Sequence, residues 1–246
     1  VRANTVLGGG ADRIRAFTLD MGGGRDADQA ERAVKELGLE QQWERVAASP
    51  EEYDLALPNG DRIHMWHVAQ PQGAATAPTV LYLHGARWNM NGSVFRIARW
   101  HELGFNVLAV DYRGFGKSTE LLPSEKTAAE DARLAFEELK RRQPDPSRRY
   151  VYGHSLGGAL AIDLAARELK DDPSVVAGVI IESTFTSIPD VVRGMKWGWV
   201  PGIELAVTQP FDSMAKIPHV QAPLLVLHGT ADSVVPHEMA DALFAA

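Results

Sequence analysis

Arg149-Tyr150-Val151-Tyr152-Gly153-His154-Ser155-Leu156-Gly157-Gly158 is the stretch on which the reading of this chain turns. Its first four residues suit a short strand, and the Ala/Leu-rich segment 156–169 that follows has the length and composition of a helix. Between them, Gly153, Ser155 and Gly157 stand at the spacing Gly-x-Ser-x-Gly. By chance such a pentapeptide arises in roughly one chain of this length in ten. Set at a strand-to-helix turn it is far more informative. There it reads as a nucleophile elbow, whose glycines permit a sharp turn that lifts the serine out of the sheet.

Working outward, short apolar runs alternate with helix-length segments. Strands are expected at 79–83, 106–110, 149–152, 176–181 and 224–227, and helices at 92–103, 124–142 and 156–169. Near-continuous apolar strands separated by helices require a mostly parallel, doubly wound sheet covered on both faces, an α/β fold. Ahead of them, Tyr53–Leu57 and Ile63–Val68 flank Pro58-Asn59-Gly60-Asp61, and Asn-Gly between alternating runs predicts an N-terminal hairpin that opens the sheet. Ligands of open α/β sheets bind beyond the carboxyl ends of the strands. Those ends read His84-Gly85-Ala86, Asp111-Tyr112-Arg113-Gly114, Gly153 to Gly158, and His228-Gly229-Thr230-Ala231-Asp232.

With 246 residues the chain can bury a substantial core. A formal charge of −7 argues against a nucleic-acid partner, and no apolar stretch approaches the roughly 18 residues of a membrane span. The absence of cysteine excludes disulfides and thiolate zinc sites. No His/carboxylate cluster has ligand spacing on one helix, so neither metal nor cofactor is expected. Residues 1–45 hold two triple-glycine runs, Gly8–Gly10 and Gly22–Gly24, and read as a flexible or loosely docked segment with one amphipathic helix over 26–43. The main domain is then 46–246. Val1 is not a plausible translation start, so the N-terminus is expected to be processed, cropped or engineered. The compartment stays open, cytoplasmic being slightly favoured over export or anchoring through a removed N-terminus, as does the oligomeric state.

These pieces together resemble the α/β-hydrolase superfamily, in particular single-domain serine hydrolases related to prolyl oligopeptidases and serine aminopeptidases. The resemblance runs over about residues 50–246. It rests on the strand and His-Gly at Leu81–Gly85, Asp111 to Ser118, the elbow, Glu182 to Ser187, Phe211 to Ile217, and His228 to Pro236. It implies hydrolysis of an ester, thioester or amide through an acyl-enzyme. Ser155 would be the nucleophile, and Asp232 the acid that orients a histidine. The backbone N–H of Leu156, with that of Ala86 or less favourably Arg87, would hold the oxyanion. Gly153, His154, Gly157, His84 and Gly85 would shape the turns around it.

One departure concerns the base. In the family the histidine follows the acid after one more helix and strand, so it and that C-terminal strand and helix are expected beyond Ala246. His237 stands five residues after Asp232, at an expected helix start, and reads as capping or surface; His228 is expected to support the acid loop. His64, His67, His101 and His219 read as structural. The chain as given is therefore expected to be catalytically incomplete, and a non-catalytic binding protein on the same fold is the rival reading. Asp232 has its own alternative as a helix-capping residue near Pro236.

Gly116-Lys117-Ser118 resembles the end of a phosphate-binding loop, but Asp111 stands where that motif needs glycine. Serine at the elbow, rather than aspartate, disfavours dehalogenase and epoxide hydrolase chemistry. An apolar insertion over about 184–218, with Trp197 and Trp199, is expected either to form a short lid shaping the substrate pocket or to pack a helix pair on the sheet. Such a lid favours esters of small or medium acyl chain as substrate.

Overall fold

The computed structural model describes residues 3–6, 14–19, 50–87, 89–194 and 208–246. Strand β1 (Ala3–Val6), β2 (Ile14–Leu19), β3 (Glu51–Ala56), β4 (Arg62–Val68) and β5 (Thr79–Leu83) come first. Helix α1 (Val94–Glu102), β6 (Asn106–Asp111), α2 (Glu125–Arg142), β7 (Arg149–His154), α3 (Leu156–Glu168) and β8 (Gly178–Glu182) follow. The chain then forms α4 (Ile188–Gly194), the short α5 (Ser213–Lys216), β9 (Leu224–Gly229) and α6 (Glu238–Ala245). Together the strands make one open sheet in the order β1-β2-β9-β8-β7-β5-β6-β4-β3.

Strands β5 to β9 run parallel where they pair, as their apolar sequences require, and β3–β4 is the expected Asn-Gly hairpin at one edge. Every residue of β5 and β6 is buried, because neighbouring positions serve opposite faces. Leu81, Leu83, Leu108 and Val110 join the core under α2 and α3, whereas Val80, Tyr82, Val107 and Ala109 pack against Ile97 and Ala98 of α1. This is the doubly wound arrangement.

At the opposite edge, β1 and β2 form an antiparallel pair, and β2 lies parallel to β9. The segment read as flexible thus contains two strands, and the Asn-Gly hairpin is not the first pair of the sheet. The run Ile14–Leu19, short, apolar and enclosed between glycine triplets, carried that signal. The helix expected over 26–43 lies outside the described residues, as do Trp197 and Trp199 of the insertion.

The strand order reverses at β5, which has β6 on one side and β7 on the other, and Leu83 pairs with Gly153 there. At this switch point the carboxyl ends of β5 and β7 diverge toward opposite faces and leave a crevice. Beside it, the turn after β6 is tied down by Arg113. Its Nε donates to Asp131 Oδ1 at 2.8 Å and its backbone N–H to Asp131 Oδ2 at 2.7 Å, and its guanidinium also reaches Asp61 and Glu130. Asp131 is fully buried on α2. Replacing Asp131 with Ala leaves a buried guanidinium and N–H short of acceptors, and should cost about 3 kcal/mol in urea unfolding. A loss near zero would show that Asp61 and Glu130 suffice.

Candidate active site

Ser155 sits between β7 and α3 with φ +53° and ψ −116°, a conformation that costs a side-chain-bearing residue about 1–3 kcal/mol. Close backbone packing holds it there. A Cβ on Gly157 would fall 2.0 Å from the carbonyl oxygen of Leu83, and one on Gly153 would fall 2.0 Å from that of Gly157. Only glycine lets α3 start this close to β5 and β7. The Ser155 N–H donates to Glu182 O at 2.9 Å, and Thr184 Oγ1 donates to Ser155 O at 2.8 Å. The turn is therefore clamped from β8 as well. Leu156 opens the helix, where its N–H has no intrahelical acceptor.

The loop after β5 faces this turn. His84 is fully buried; its Nδ1 donates to Gly85 O at 2.8 Å, and its Nε2 lies 3.4 Å from Asp111 Oδ1. Asp111 also accepts from the Met90 N–H at 2.8 Å, which joins the far end of the same loop to β6. Burial raises the Asp111 carboxyl and lowers the His84 imidazole, so each is pushed toward its neutral form. Between this loop and the serine lies a cleft of about 70 Å³, lined by Ser155, His154, Gly85 and Ala86 and, across from them, by Ser93 and Arg96.

Behind the elbow sits a half-buried charged cluster. Arg96 Nε donates to Glu182 Oε1 at 3.1 Å, and Tyr152 Oη to Glu182 Oε2 at 2.5 Å. Burial opposes the Glu182 charge, but Arg96 and Tyr152 outweigh it and hold the carboxyl below its ordinary range.

Asp232 follows β9 in a tight loop. Its Oδ1 accepts from the N–H groups of Val234 and Val235, both at 2.9 Å, while Oδ2 lies 3.8 Å from His228 Nε2. It thus caps a turn ahead of α6 and leaves one oxygen without a hydrogen bond among the described residues. His228 Nε2 donates to Val235 O at 2.8 Å, which closes the same loop. His237 lies at the start of α6, 42% exposed and 3.4 Å from Glu238.

Ser155, His154, Gly85 and Ala86 line one cleft, and Asp232 is near enough for its charge to bear on His154. Sequence reading assigned no role to Asp111, Glu182 or Arg96. A charge closing each apolar strand was the available signal for the two carboxylates; nothing marked Arg96.

The chain matches the family described as "Serine aminopeptidase, S33" over residues 74–216, more than half its length. It is 30% identical over 200 residues to YfhR of Escherichia coli K12, an uncharacterized protein, the match covering 80% of this chain and 68% of that one. Against lysophosphatidylserine lipase ABHD12 of Danio rerio it is 30% identical over 203 residues, covering 73% of this chain and 52% of the relative. The chain therefore spans between about half and two thirds of these relatives' lengths. Among solved structures, an α/β-hydrolase from Vibrio vulnificus superposes with a TM-score of 0.66 at 23% identity, covering 90% of this chain and 75% of that one. Esterase Pf2001 of Pyrococcus furiosus gives 0.59 at 20% identity, covering 79% and 76%. At these identities the structures establish the fold.

Burial, then the charge of Arg96, pushes His154 down from 6.5 to about 4. Between those values the unfolded chain binds a proton that the folded one refuses, so this stability is complete above about pH 6.5 and lost as pH falls toward 4. His154→Asn should remove roughly 2–3 kcal/mol of the difference in unfolding free energy between pH 7.5 and pH 4.5. Equal acid sensitivity in the two proteins would assign the loss elsewhere.

Proposed function

Because the chain belongs to the serine aminopeptidase S33 family of α/β-hydrolases, a serine hydrolase type, we propose that it cleaves carboxylic esters of small or medium acyl chain through Ser155. The carrying observation is the strained Ser155 turn at the switch point, facing the loop after β5 across a small cleft. In this reading Ser155 Oγ attacks the acyl carbonyl carbon while a base takes its proton, and the carbonyl electron pair moves onto oxygen. The N–H groups of Leu156 and Ala86 hold that oxyanion. Its collapse expels the alcohol, which takes the proton from the base, and water then releases the acid from Ser155 by the same route. Asp232, with one oxygen fixed by two backbone N–H groups, orients the imidazole with the other.

No described histidine suits the base. His84 and His228 are committed to loop contacts, and His154, held near pKa 4, is a weak base at neutral pH. His237 is exposed beside Glu238. The base is accordingly assigned to a histidine outside residues 1–246. Peptide or thioester cleavage would use the same groups, and the apolar insertion is a lid in this proposal. The rival reading, a binding protein on this fold, rests on the lack of a suitable histidine among those described.

Hydrolysis of p-nitrophenyl butyrate that is lost at least about a thousandfold in Ser155→Ala would support the enzyme. Labelling of Ser155 by a fluorophosphonate probe should disappear in the same variant; protein that carries the assigned histidine and neither labels nor turns over favours the binding protein. Asp232→Ala should lower kcat by about 10³–10⁴ with the fold retained, as seen by circular dichroism. A loss below tenfold would restrict Asp232 to capping its turn.

A further inference from the structure

The cleft beside Ser155 has the wrong lining for an acyl chain. Its volume is about 70 Å³, the room of a few non-hydrogen atoms, and its side-chain walls carry hydrogen-bond donors. Arg87 and Arg96 line it and no carboxylate does. His154 is neutral at pH 7, while Gly85, Ala86 and Gly92 leave the backbone accessible. Arg96 is hydrogen-bonded through its Nε, to Glu182 Oε1, with Tyr152 holding the second carboxylate oxygen, and its guanidinium lies over the Phe95 ring, 4.4 Å from the centroid. Its two Nη groups make no hydrogen bond among the described residues. A guanidinium pinned along one edge presents its remaining donors as a flat fork, the geometry that fits two oxygens of one oxyanion. The side chain is held by the half-buried Glu182 and is less free to swing to solvent than a surface arginine.

We infer that this cleft is a subsite for a compact anionic group of the substrate, a carboxylate or a phosphate, and that Arg96 is the specificity-determining residue that reads it. The inference rests on the ester-hydrolase reading for what the substrate is, but not for whether the cleft binds an oxyanion. Glu182 then acts as a positioning residue. It fixes the guanidinium through its side chain and the elbow through its carbonyl, so the subsite and Ser155 share one support.

Isothermal titration of the full chain with inorganic phosphate, with acetate and with uncharged acetamide tests the binding directly. At least one anion should bind saturably and about tenfold more tightly than acetamide, phosphate and acetate being the arms that separate the two chemistries. Arg96→Lys keeps the charge opposite Glu182 but loses the fork, and should weaken that anion about fivefold or more. The double variant R96M/E182Q removes both charges together, so neither is left unpaired, and should bring the anion to the level of acetamide. Equal affinity for the anions and acetamide, or unchanged anion affinity in both variants, overturns the inference. A kinetic arm compares kcat/KM for the mono-4-nitrophenyl ester of adipic acid with that for 4-nitrophenyl hexanoate. Their ratio should fall about tenfold in R96M/E182Q, and an unchanged ratio overturns Arg96 as the residue reading the substrate. If neither ester is hydrolysed by protein that carries the assigned histidine, the hydrolase reading fails, whereas the titration still decides the subsite.

Discussion

The contact between the start of α3 and the ends of β5 and β7 is what the rest of the molecule depends on. It brings the backbone of Gly157 against the carbonyl of Leu83 with no room for a Cβ, and so forces Ser155 into a positive-φ turn. That strain survives because other elements over-determine it. Glu182 and Thr184, at and beyond the end of β8, each bond to the Ser155 backbone, and the all-buried strands beneath leave the turn nowhere to relax. A close-packed interior resists small displacements, so a strained residue on top of it keeps its geometry.

Around this turn the sheet collects charge where its faces are otherwise apolar. Glu182 with Arg96 and Tyr152, half-buried, and Asp111 with His84, buried, are polar groups that a hydrophobic core of the same volume would not need. Such pairs contribute little net stability once desolvation is counted, and what they supply is position. The first fixes the wall of the cleft behind the serine. The second holds both ends of the loop after β5, through His84 at one end and the Met90 N–H at the other. Each joins a strand end to the segment that follows β5, which gives shape to the ligand edge at the switch point.

The loop after β9 is built differently. His228 and Asp232 are four residues apart, and their contacts, to Val234 N–H, Val235 N–H and Val235 O, stay within the loop. A local device of this kind needs little from the rest of the fold. For that reason its form could be anticipated from the string His228 to Pro236, including the support that His228 lends.

The sequence alone determined what depends on near neighbours: the strand runs, the Asn-Gly hairpin, the start of α2 at Ser124 and the elbow, since periodicity, turn residues and caps act over a few positions. It did not disclose β2 beside β9, because a parallel partner is chosen by the sheet edge left open, not by adjacency in the chain. Nor did it mark Arg96 or Glu182, which are 86 residues apart and meet only when α1 packs on the face of the sheet that carries Tyr152. A residue's type states which bond it can make, and tertiary structure alone decides which partner is in reach and whether water is excluded. The serine's turn could thus be read from its pentapeptide, while the chemistry of the cleft beside it waited on the packing.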